Sequence, residues 1–152
     1  MARAIGTALP ISFKQSVEIC SFIKNRNVND AKKILQDAAE KKAAIPFKRY
    51  NWDLGHKTKI GPGSYPEKAS MELIRLIESA EANAQFKGLN TSNLVIAHIS
   101  AHKAGKAWHF GRKTRRKMKR TSIEIVVEEK KKEAKESQKK QEKPKDSGSE
   151  TK

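Results

Sequence analysis

The chain has 152 residues and a formal net charge of +16, which suits one compact domain with tails. Its one cysteine, Cys20, excludes an internal disulfide and a cysteine-based zinc cluster. No apolar run reaches membrane-spanning length, and MARAIGTALPISF lacks an apolar core with a small-residue cleavage site, so a cytosolic protein without a signal peptide is expected.

Residues 1–11 read as an extended leader, since Pro10 blocks an early helix. Ser12 is placed as an N-cap, with Gln15 as its capping-box partner. Phe13, Val17, Ile19, Cys20 and Ile23 recur at helical spacing, which predicts a first helix over about Phe13 to Lys24. Cys20 falls on its apolar face, where a packed thiol is inert. Asn27 caps a second helix that carries the stripe Ala31, Ile34, Leu35 and Ala38 and ends near Ala43, before Pro46.

Residues 44–65 have no stable period, and Pro46, Gly55, Gly61, Pro62 and Gly63 mark irregular structure. The segment interleaves Phe47, Tyr50 and Trp52 with Lys48, Arg49, His56, Lys57 and Lys59. Two readings stay open. The rings plug the domain's own core, or they stack on exposed bases while the cations pair with phosphates. Disorder-prone segments are poor in aromatics, so order is expected.

Pro66 opens a third and longest helix, with Ala69, Leu73, Leu76, Ile77, Ala80 and Ala84 as its stripe and Gly88 as its stop. Period two then takes over. Val95, Ala97, Ile99 and Ala101 point one way, and Leu94, Ile96, His98, Ser100 and His102 the other. A second alternating run, Thr121 to Val127, completes an antiparallel pair. Between the runs lies KAGKAWHFGRKTRRKMKR, residues 103–120, with nine Lys or Arg and no acid. The inner part of this hairpin belongs to the core, and the outer part is too basic to be buried. Residues 128–152 are almost wholly charged and small polar and are expected to be a disordered tail. The expected domain is therefore 12–127.

Chemistry in the enzymatic sense finds no footing. His98 and His102 are four apart, but on a strand that spacing is about 13 Å, too far to share an ion. There is no P-loop, nucleophile elbow or dinucleotide fingerprint. No metal, cofactor, membrane or small-molecule substrate is expected. The positive signal is electrostatic: clustered cations on one element are the footprint of a phosphate-backbone binder. Arg112, Arg115, Arg116 and Arg120 can grip phosphates bidentately or stack on bases. A DNA-bending architectural protein with basic β-arms, using Trp108 or Phe110 as a wedge, is the alternative.

PISFKQSVEIC (10–20), IPFKRYN (45–51), GHK (55–57), YPEKAS (65–70), ESAEANAQFKGL (78–89), IAHISAHKAGK (96–106) and IEIVVEE (123–129) carry a family resemblance over roughly residues 8–129. The chain resembles the universal large-subunit ribosomal protein family numbered twenty-two in bacteria and seventeen in eukaryotes, in its archaeal-type form. The resemblance implies an α+β fold, with three helices on a small three-stranded antiparallel sheet and a long protruding basic β-hairpin. Residues near the N-terminus are a candidate source of the extra strand, at a position that periodicity does not fix. It implies large-subunit ribosomal RNA as the partner, along with neighbouring ribosomal proteins. The hairpin tip, Trp108, His109, Phe110, Gly111 and Arg112, is then expected to face the nascent peptide in the exit tunnel.

The rRNA-contacting set expected on this reading begins with Lys14, Lys48, Arg49, His56, Lys57, Lys59 and Lys68. It continues through His98, His102, Lys103, Lys106, Trp108 and His109, and ends with Arg112, Lys113, Arg115, Arg116, Lys117, Lys119 and Arg120. Family hairpins carry Pro-Arg-Ala and then Gly-Arg near the tip. This chain has WHFGRKTRR and no proline there, with Gly111-Arg112 as the nearest match.

Overall fold

A computed structural model of the chain describes residues 1–130. Three helices form where the apolar stripes fall: α1 (Phe13–Ile23), α2 (Val28–Ala39) and α3 (Glu67–Phe86). Ser12 and Asn27 occupy the N-cap positions of α1 and α2, but neither side chain makes a cap bond. The expected capping box is therefore absent. The Ser12 carbonyl instead accepts from both the backbone N–H and the hydroxyl of Ser16.

α2 stops four residues short of the expected Ala43. Lys41 takes a left-handed φ of 62°, and the last turn is closed by bonds from Lys41 N to Ala38 O and from Lys42 N to Asp37 O. Gly88 ends α3 with the same pair of closing bonds, from Gly88 N to Gln85 O and from Leu89 N to Ala84 O. Its φ is 72°, a conformation that costs glycine nothing.

The central sheet has the order β1-β6-β5, all antiparallel, from β1 (Ala2–Leu9), β5 (Leu94–Lys103) and β6 (Thr121–Glu129). The extended N-terminal residues are thus the third strand of the sheet. Ala2, Ala4 and Gly6 face inward, against Val127, Ile125 and Ile123. Their small side chains let α3 lie close over this edge of the sheet, and Asn83 on α3 donates to the Arg3 carbonyl at 3.0 Å.

A bulge corrects the expected alternation in β5. Ile96 pairs with Val127 and His98 with Val126, which leaves Ala97 as the extra residue. The inward face therefore runs through Leu94 and Ile96 before the bulge, and through Ile99 and Ala101 after it. Strict period two would have turned Leu94 and Ile96 away from Ile99. Glu128 and Glu129, expected in the tail, pair with Val95 and Leu94 and close β6. Residues 131–152 of the expected tail lie outside the described residues.

One core results. α1 and α3 cover the inner face of the sheet, and α2 packs on α3. Lys32 on α2 forms an ion pair with Glu81 on α3. Ile19, Ile23, Leu35, Leu73, Ile77, Ile123 and Ile125 are completely buried. Among the described residues, no helix is long and apolar enough to cross a membrane.

The segment read as irregular is ordered by a second sheet of order β2-β4-β3, from β2 (Ile45–Pro46), β3 (His56–Lys57) and β4 (Gly61–Ser64). Strands of two to four residues are too short to show a hydrophobic period, and so period counting passes over them.

Candidate nucleic-acid interface

β5 and β6 stay paired up to Lys103 and Thr121. Beyond that, the two chain segments remain linked by single bonds: Ala104 N to Arg120 O at 3.3 Å, Met118 N to Ala107 O at 2.8 Å and His109 N to Arg116 O at 2.9 Å. Trp108 and Lys117 form an isolated bridge. The chain reverses over 110–115, through a 3-10 turn at Gly111–Lys113 in which Gly111 has φ 64°. Of the nine cations in 103–120, eight are exposed and Arg120 is half-buried. Phe110 is 86% exposed at the turn.

Nine like charges in 18 residues, with no acid among them, repel one another in the free chain. Some of this charge is spread onto rings. Lys117 Nζ lies 4.5 Å from the Trp108 ring centroid, and Lys103 Nζ lies 5.3 Å from that of Phe13, where the connection leaves the core. Such a surface can neutralise several phosphates at once and release their counterions.

The second cationic region is built differently. Glu18, on α1, is buried. Its Oε2 accepts from the backbone N–H of Lys48 at 3.0 Å, and its Oε1 accepts from those of Arg49 and Tyr50 at 2.8 Å each. One carboxylate thus satisfies three successive amides and fixes the loop after β2 to the helix. Charge-assisted bonds of this kind are among the stronger ones in proteins. Held this way, Lys48 and Arg49 keep their side chains exposed. Tyr50 is half-buried, approached by Lys14 Nζ at 5.7 Å and the Arg49 guanidinium at 5.4 Å. Lys57 lies 5.3 Å from the Tyr65 ring.

The two readings left open for the rings divide by residue. Phe47 is 5% exposed and part of the core, whereas Trp52 is 93% exposed. His56 and Lys59 are exposed in the same small sheet and its turn, and Lys68 is exposed in the first turn of α3.

His98 and His102 lie on the outer face of β5, away from the helices. The Ser100 hydroxyl and His102 Nε2 are 2.9 Å apart. Cys20 is buried, and burial pushes its thiol up to about 12, which keeps it protonated and unreactive at neutral pH. Sequence reasoning missed Glu18. Its signal was present, because it is the one acid in α1 and it stands between Val17 and Ile19. An acid in that setting needs partners, and here they come from 30 to 32 residues away.

Fold and surface together define a class: a small basic α+β domain with two cationic regions on its surface. The family profile described as Ribosomal protein L22p/L17e matches residues 4–128, and the chain belongs to that family. The family is one of ribosomal proteins, not of enzymes. Archaeal relatives named Large ribosomal subunit protein uL22 match over most of their length. That of Archaeoglobus fulgidus is 41% identical over 84% of this chain and 87% of its own. That of Methanoculleus marisnigri is 43% identical over 85% and 90%, and that of Thermofilum pendens is 39% identical over 84% and 89%.

Proposed function

We propose that the chain is a structural constituent of the large ribosomal subunit that binds large-subunit rRNA and supports subunit assembly and translation. The observation that carries this reading is the acid-free run of nine cations over residues 103–120, almost all exposed, on a connection only two chain segments wide. A shape so narrow enters a crevice closed to a globular domain. The globular part, 12–127 with β1 added, sits on the subunit, and the connection reaches toward the exit tunnel. Trp108, His109, Phe110, Gly111 and Arg112 are then the residues nearest the nascent peptide. Lys14, Lys68, His98, His102 and the cations of 48–59 add contacts around the domain, and neighbouring ribosomal proteins complete the surroundings.

The test is sedimentation of cell extract at high and low magnesium. Co-sedimentation with large subunits at both concentrations is the expected result. Sedimentation with nucleoid DNA instead would overturn the reading in favour of a DNA-bending protein, for which the exposed Phe110 would be the wedge. Cross-linking from position 110 to a stalled nascent chain tests the tunnel assignment separately.

A further inference from the structure

A ring as large as an indole is seldom left bare on an ordered loop. Trp52 is 93% exposed, and among the described residues no cation lies over its ring. Yet its surroundings are fixed. Two residues before it, Tyr50 is held by Glu18, and two residues after it, Leu54 packs against the core. The Leu54 N–H donates to Asn51 O across the turn that contains Trp52, at 3.3 Å, and Gly63 N–H donates to Gly55 O at 3.5 Å. The indole is therefore presented, not waving on a free end. Little backbone ordering entropy remains to be lost when something settles on it.

The charge of the loop that carries it names the occupant. Lys48, Arg49, Lys57 and Lys59 are the cations of the same loop and small sheet, against a single acid in residues 47–64, Asp53. A free aromatic face beside cations matches an unpaired nucleobase and its phosphates, since every base has a face to stack and every nucleotide a charge to pair. A purely protein partner would need acids to meet this rim.

We propose that Trp52 is a stacking platform for an unpaired RNA base, with Lys48 and Arg49 receiving the adjoining phosphates and Glu18 acting as the positioning residue that aims the loop. This second foothold is separate from residues 103–120 and reads single-stranded RNA, whereas the basic connection answers mainly to phosphate density. The proposal rests on the RNA-binding reading above.

The test uses the full chain and a labelled single-stranded RNA, with a duplex RNA as the reference. Trp52→Ala is expected to weaken single-strand binding about tenfold, the usual scale for losing one stacked base, and to leave duplex binding and its salt slope unchanged. Trp52→Phe keeps most of the affinity. Glu18→Gln lowers single-strand affinity more than duplex affinity. Because the chain has two tryptophans, a common Trp108→Phe background reports Trp52 alone, whose emission should be quenched by the single strand and not by the duplex. Unchanged single-strand affinity in Trp52→Ala, with the parent still binding RNA, overturns the platform. If that variant binds RNA normally but enters large subunits poorly, Trp52 docks a protein and the proposal is equally overturned. No RNA binding by the parent overturns the RNA reading itself, and the two failures are distinguishable.

Discussion

The two cationic regions solve one problem in opposite ways. Residues 103–120 hold nine cations and no acid, and the outer part is linked by a few backbone bonds and by Lys117 over the Trp108 ring. Residues 45–64 hold fewer charges, but three of their amides end on the carboxylate of Glu18. One region gathers charge on a connection two chain segments wide. The other fixes its shape first and exposes one ring. α1 joins the two, with Glu18 under the loop and the Phe13 ring under Lys103 at the base of the basic connection. Charge density gives affinity that salt can remove, whereas a preorganised ring gives selectivity that salt affects less.

Removing residues 106–116 is the strongest way to break the comparison. The segment holds five cations, so the slope of log affinity against log salt should fall by about four if each meets a phosphate. Thermal unfolding should keep its cooperativity, because none of the deleted residues is buried. Loss of the folded domain on this deletion would refute the division between inner and outer hairpin.

Ile125→Ala tests the inner half of the same strands. Ile125 is fully buried between β1 and β5, and the truncation should cost about 2–5 kcal/mol in denaturant unfolding. RNA affinity of the folded fraction should hardly change.

Glu18→Ala should follow at about 2 kcal/mol, since it leaves three loop amides without their acceptor. Limited proteolysis should then cut within 47–54 before it cuts at the basic connection. Equal rates of cutting at the two places in variant and parent would mean that the carboxylate does not hold the loop.

Cys20 gives the smallest effect. Burial raises its thiol from the ordinary value of 9.0 to about 12. The folded state therefore favours the protonated form, and the associated stability is complete below pH 9. It is lost progressively as the pH rises toward 12, because the unfolded chain ionises first. Denaturation of Cys20→Ala, compared with the parent across pH 8–11, should show a shallower decline. Alkylation of the parent thiol at pH 8 should proceed no faster than local unfolding of α1.

The helices were legible because their signal is local. Each stripe repeats every 3.6 residues within one segment, and Gly88 marks its own helix end. The bulge at Ala97 was not legible, because an extra residue is defined only by the partner strand's register. Nor was Glu18's role, because its acceptors' partners lie 30–32 positions along the chain. For the candidate interface, composition located the basic connection, but it could not divide the aromatics. Only packing made Phe47 a core residue and left Trp52 bare.

By itself the sequence determined the α+β class, the three helices, the paired strands β5 and β6 and the concentration of charge between them, since each is written in neighbouring residues. The tertiary structure decided that residues 2–9 close the sheet beside β6, that β5 changes face at its bulge, and that one buried carboxylate holds the second cationic region. Those three outcomes depend on groups distant in sequence meeting in space, and no local period records such a meeting.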